Sequence, residues 1–129
     1  LEMLRYKTLK FLIKMKGGGF MSKLILKLSD KERSIPFSND KKLTERANGS
    51  WRITPQKVAD VTECVLLFRG QIIAEFKVGS TLNFDRFETR TTFDMQFVHN
   101  SKYVGKFLKY PTANPASIID DKKFKDILV

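Results

Sequence analysis

The stretch VTECVLLFRGQIIAEFKVG, Val61 to Gly79, decides the fold. Two apolar, β-rich runs flank Arg69-Gly70, where a glycine can take the positive φ that a tight hairpin turn demands. The run CVLLF is apolar on both faces, which predicts a central strand covered from above and below. Downstream, STLNFDRFETR mixes aromatics with charges and reads as a long loop or an irregular edge. TTFDMQFVH alternates, placing Phe93, Met95 and Phe97 on one buried face. NSKYVGKFLKY offers a cap at Asn100 or Ser101 and one or two helical turns, weakened by Gly105. PTANPASIID is extended, because each proline turns the residue before it away from helix. Upstream, Thr54 caps a short helix whose first residue is Pro55. DKKLTERA is a short polar helix, KERSIPFSND a loop, and KLILKLS a first strand with Leu24, Leu26 and Leu28 on one side. This inventory of five or six strands, one long hairpin and short helices fits an α+β domain built as a small, curled, mixed β-barrel.

The chain opens with LEMLRYKTLKFLIKMKGGGF before Met21. Three successive glycines fix no structure, whereas lysine and glycine codons in succession can spell a purine-rich ribosome-binding site ahead of a methionine codon. Residues 1–20 therefore read as a non-native leader or a flexible N-terminal extension, and residues 21–129 as a single domain. A genuine N-terminal helix followed by a glycine joint stays open as the alternative. A membrane-surface helix fits poorly, because the apolar residues of the leader are scattered around the helix.

Charge points to the class of partner. The chain holds 24 Lys and Arg against 14 Asp and Glu, a net charge of +10. Five cations and one acid fall in residues 1–20, so residues 21–129 keep +6. A surplus of that size favours an anionic partner through long-range attraction and counterion release. The 109 residues from Met21 onward can bury one core without staples. A single cysteine, Cys64, rules out an internal disulfide and a cysteine-cluster zinc site. No apolar run reaches the length of a bilayer span, and none suits a secretory signal. The expectation is a soluble cytoplasmic domain without membrane contact.

Catalytic chemistry has few candidates. His99, the only histidine, ends a strand in VHNS and reads as a solvated turn residue. Cys64 lies in the apolar run and behaves as a small hydrophobe. Asp60 followed by Glu75-Phe76-Lys77 matches the arrangement of Mg²⁺-dependent PD-(D/E)xK nucleases, in which carboxylates hold the metal and the lysine positions water. Any charged strand yields Glu-x-Lys by chance, and no clear long helix precedes the pair. Nuclease activity is therefore the alternative reading, and no catalytic residue, metal site or cofactor is assigned.

Binding chemistry is richer. RANGSWRITP sets Arg46, Trp51 and Arg52 beside an Asn48-Gly49 turn. A tryptophan next to guanidinium groups can stack on a base while the arginines hold phosphate or a base edge. Packing into the end of a barrel is the competing role for Trp51.

From Arg46 to Asn114 the order Trp51-Arg52, a short helix, the hairpin, an aromatic strand, Tyr103-x-Gly105-Lys106 and Asn114-Pro115 resembles the PUA-like superfamily, with its ASCH, EVE and YTH branches. The resemblance implies a small β-barrel that binds RNA or a modified base, in some cases fused to restriction enzymes. Two departures stand out. Ala47-Asn48-Gly49-Ser50 replaces the Arg-Gly before the tryptophan, and FDRFETRTTF lacks a second tryptophan. Trp51 would then need Phe84, Phe87 or Tyr110 to complete an aromatic cage. The expected ligand-binding set is Arg46, Trp51, Arg52, Lys57, Arg69, Tyr103, Lys106, Tyr110 and Asn114. The expected function is a non-catalytic module for nucleic acid or a nucleotide-like anion. Recognition of modified DNA, or sequestration of a nucleotide immune signal by a phage protein, would suit it.

Overall fold

The computed structural model describes residues 22–29 and 39–129. The readings made for the leader, the start at Met21 and most of the loop KERSIPFSND fall outside those residues. The described chain runs β1 (Ser22–Leu28), α1 (Asp40–Asn48), α2 (Pro55–Val58), β2 (Glu63–Phe68), β3 (Gln71–Asp85), β4 (Arg90–Phe97), β5 (Ala116–Asp120) and α3 (Asp121–Ile127). The strands form one mixed sheet in the order β4-β3-β2-β1-β5. β1 and β2 are parallel, with Leu24 opposite Cys64 and Leu28 opposite Phe68. β5 lies antiparallel on the other side of β1, from Ser22–Asp120 to Leu26–Ala116.

The hairpin forms where its turn chemistry places it. Arg69 and Gly70 both adopt positive φ, 52° and 82°, the backbone of a type I′ turn whose twist matches the flanking strands. β2 sits at the centre of the sheet and is buried on both faces. The register then slips, because Leu66 faces Ala74 while Leu67 faces Ile72, leaving Ile73 as an extra residue. Such a bulge rotates the strand. Ile72 consequently enters one core, while Ala74, Phe76 and Val78 enter the other.

Those two cores make a three-layer domain. On the first face Leu24, Leu26, Leu66, Phe76, Phe93 and Met95 pack against Leu43 and Ala47 of α1 and against Trp51, Ile53 and Val58. On the second face Ile25, Val65, Leu67, Ile72 and Ile119 meet Leu108 and Phe124. Each fully buried aliphatic side chain stabilises by about 1.5–3 kcal/mol relative to exposure. Two helices are held by side-chain caps: Asn39 accepts from the Lys42 N–H and Asp120 accepts from the Lys123 N–H; Pro55 opens α2, where Thr54 takes the N-cap position without the side-chain hydrogen bond expected of it.

Three expectations need correction. The sheet is open rather than a closed barrel, with β4 and β5 as its edges. Short bridges continue a curl from the start of β3, Gln71 to Phe107 and Leu108 to Leu128, and the ladder stops there. Residues 80–85, read as part of a long loop or an irregular edge, are no loop: they extend β3 into a long hairpin arm with β4, with a register break between Val78 and Leu82. The segment around Tyr103–Tyr110 forms those bridges and no helix. The leucines of β1, Leu24, Leu26 and Leu28, share one core as read, and Ile25 between them enters the other.

Candidate functional site

α1 ends at Gly49, whose N–H reaches the Arg46 carbonyl at 3.2 Å with φ 117°. The chain then runs beside β4, where Trp51 and Thr91 exchange both backbone hydrogen bonds, 2.9 and 2.8 Å. This extended run alternates: Trp51 inward, Arg52 outward, Ile53 inward. Trp51 is 3% exposed, its indole N–H donates to the Ala47 carbonyl at 2.8 Å, and the Arg46 guanidinium lies 4.6 Å from its ring centroid. The tryptophan therefore fills the first core and presents no open stacking face. Its proposed helpers do not change this. Phe84 is half-buried on β3 opposite Thr91, Phe87 is 98% exposed at the hairpin tip, and Tyr110 packs against the core on the other face.

The alternation that buries Trp51 sends Arg52 into a cleft of ≈ 500 Å³. Its wall combines Arg52 and Ile53, Lys57 from α2, and the run Asn114–Ile118 entering β5. Arg52, Lys57 and Asn114 are thus brought together from two distant stretches of sequence. No carboxylate lines the cleft. Proline at the start of α2 fixes the turn that brings Lys57 round, while Ala116 and Ile118 anchor the opposite wall on the first core.

A second cleft of ≈ 500 Å³ opens at the same end of the sheet, on the other face. Lys27 and Leu28 close β1, Leu67 and the Arg69-Gly70 turn close the β2–β3 hairpin, and Leu108–Pro111 forms the far side. It too has no lining carboxylate. Arg69 lies over Phe68, its guanidinium 5.1 Å from the ring centroid. Lys27 and Lys109 are functional candidates that the sequence reading missed. The signal available for Lys27 was a cation inside the otherwise apolar run LILKL.

Tyr103 and Lys106 lie outside both cleft walls. Tyr103 meets Phe124 edge-on at 5.1 Å between centroids, and it stands beside a buried cation also missed at the sequence level. Lys23, only 4% exposed, places its ammonium 2.6 Å from Glu63 Oε1, 3.2 Å from Asp121 Oδ1, and 5.4 and 5.1 Å from the rings of Tyr103 and Phe124. Burial alone pulls its pKa down, but the hydrogen bonds and charges of Glu63 and Asp121 outweigh burial and leave it raised. Lys106 is exposed, and its backbone carbonyl accepts from the Ile72 N–H at 2.8 Å.

Glu75 and Lys77 share a face of β3 as their alternation requires. The Glu75 carboxylate accepts from the Ser101 hydroxyl at 2.5 Å, and Lys77 pairs in register with Glu63. Among the described residues no three histidine, cysteine, aspartate or glutamate side chains gather where they could hold a metal ion. Burial, reinforced by the Glu75 charge, pushes the Cys64 thiol well above its ordinary pKa and keeps it out of nucleophile chemistry. His99 is exposed, 3.7 Å from the Asp40 carboxylate. No described helix is long and apolar enough to cross a membrane. The chain matches no family model, no curated protein and no solved structure.

Proposed function

We propose that the chain is a non-catalytic binding module for nucleic acid or a nucleotide-like anion, and that it takes its ligand in the Arg52–Lys57–Asn114 cleft. One observation carries the reading: two cations and an amide from separate parts of the sequence converge on a cleft with no acid in its wall. A guanidinium pairs with phosphate through two parallel hydrogen bonds, an ammonium adds a point charge, and an amide both donates and accepts toward a base edge. Net charge draws polyanions toward any such site. The resemblance to PUA-like domains supports the proposal at Arg52 and Asn114. The ring that would stack a base must be sought elsewhere than at Trp51, and the open sheet departs from the closed barrel of that superfamily.

Fluorescence anisotropy with labelled DNA and RNA strands and with free nucleotides tests this. Affinity should fall with salt. For a single strand, the slope against the logarithm of salt concentration should shrink by roughly 0.7 for each phosphate contact removed in Arg52→Ala and Lys57→Ala. No binding at low salt, or binding unchanged in the double variant, rejects the site. Cleavage of DNA or RNA with Mg²⁺ that disappears in both Asp60→Ala and Lys77→Ala would replace the binding reading with the nuclease one.

A further inference from the structure

No aromatic ring lines the first cleft. A base entering it is therefore recognised by its edge, against the apolar surface of Ile53, Pro115, Ala116 and Ile118, and stacking on a ring plays no part. Two neutral polar side chains line the cleft, Asn114 and Ser117. The Ser117 hydroxyl already accepts from the Tyr110 hydroxyl at 3.0 Å. No described residue hydrogen-bonds the side-chain amide of Asn114, which leaves its carbonyl and its N–H groups to a ligand.

The backbone that carries this amide is held from the other face of the sheet, across the wall that the two clefts share. The Lys27 ammonium donates to the Thr112 carbonyl, the Thr112 hydroxyl accepts from the Asn114 N–H at 3.2 Å, and the Pro115 carbonyl accepts from the Lys27 N–H at 2.8 Å. The Tyr110 and Ser117 hydroxyls close the ends of the loop. Tyr110 is itself fixed, since its ring packs on the second core with the Lys123 ammonium 5.8 Å from the centroid. Binding then has only the side-chain torsions of Asn114 left to order, which lowers the entropic cost of reading a ligand edge.

Resting on the reading above that this cleft takes nucleic acid or a nucleotide-like anion, we infer that Asn114 is the residue that reads the base, and that Tyr110, Thr112 and Lys27 are positioning residues acting through it. Arg52 and Lys57 meet phosphate and do not sense whether a base is attached. The ligand is therefore a phosphate compound that carries a base, in preference to a bare sugar phosphate.

The test is competition anisotropy on the full chain with matched pairs of ligands: a single strand against an abasic strand of the same length, and a nucleoside monophosphate against ribose phosphate. Phosphates are equal within a pair, so the ratio of affinities isolates the base. Wild type should favour the base-bearing member, and Asn114→Ala should lower that ratio by about tenfold. Tyr110→Phe, which keeps the ring in the core, and Ser117→Ala, which removes the same bond from the other side, should each lower it by about threefold. Lys27→Met should lower it as well. The dependence on salt should not change in Tyr110→Phe or Ser117→Ala, and the melting temperature of each variant separates misfolding from a displaced amide. Added to Asn114→Ala, Tyr110→Phe should cost nothing further, because it acts only through the amide. Arg52→Ala with Lys57→Ala should weaken both members of a pair alike. A ratio unchanged in Tyr110→Phe and Ser117→Ala, while Asn114→Ala lowers it, overturns the positioning role. Equal wild-type affinity for both members of each pair overturns base reading at Asn114 and leaves the phosphate-binding cleft standing. Absence of binding by every strand and nucleotide overturns both.

Discussion

Lys23 and Lys27 lie on the same strand and the same face of the sheet, yet the two ends of β1 use the same side chain in opposite ways. At the first end Glu63, Asp121, Tyr103 and Phe124 enclose the ammonium, and its charge is consumed inside the protein. At the second end Lys27 meets a backbone carbonyl, and the clefts around it carry cations without an acid in their walls. Identity and face do not separate the two lysines. The placing of carboxylates does: it makes one end structural, and the other end is where we propose a ligand.

The largest effect tests whether Trp51 belongs with structure or with the open end beside Arg52. Trp51→Ala should lose about 3–5 kcal/mol in urea unfolding, the cost of emptying a core aromatic site. Loss of ligand binding with unchanged stability would move Trp51 to the open end and break the contrast. Next comes Lys23→Met. Removing a buried partner typically costs several kcal/mol, but Glu63 and Asp121 are about a third exposed, so water offsets part of it. A loss of roughly 1–3 kcal/mol follows, with ligand affinity unchanged. Because the pKa of Lys23 is raised in the folded state, its stabilisation is complete below the ordinary lysine value of 10.5 and fades as pH climbs above it. Urea titrations carried into the alkaline range should show that extra loss in the wild type and lack it in Lys23→Met. Lys27→Met should lower stability by about 1 kcal/mol or less while weakening binding. Smallest of all, Arg52→Ala with Lys57→Ala should change stability by no more than about 0.5 kcal/mol. If that exposed pair proves as destabilising as Lys23→Met, the open end is structural too.

Much of this architecture could be read from residue pattern. Arg69-Gly70 announced its turn because so few backbones satisfy two successive positive φ values, and CVLLF announced a central strand because no half-exposed strand tolerates apolar residues on both sides. The start of α2 at Pro55 was equally local. Pairing partners were not: nothing in KLILKLS says that it lies between β2 and β5, so an open sheet and a barrel look alike in sequence. The β3–β4 arm stayed undecided between a loop and an irregular edge because residues 79–85 have solvent on most sides and the two-residue period breaks between Val78 and Leu82 before resuming. α3 went unread because a seven-residue helix with Phe124 as its one buried side chain carries almost no periodic signal. For the site, Arg52, Lys57 and Asn114 were legible as residue types. Their meeting was not, since it depends on where β5 docks, and the burial of Trp51 rests on one step of alternation beside β4.

The position of β1 also governs how the chain reaches this state. One neighbour, β2, follows after the two helices, but the other is almost a chain length away: Ser22 pairs with Asp120 and Leu26 with Ala116. Closing a loop of that size precedes any reward from the contacts it makes, which places such topologies among the slower folders, in milliseconds to seconds rather than microseconds. During synthesis the first described strand would wait, with one edge unpaired, until the last one has left the ribosome. Both clefts are assembled in that final pairing, since β5 and the residues leading into it build the wall between them. Competence to bind would thus arrive in a single step at the end of folding.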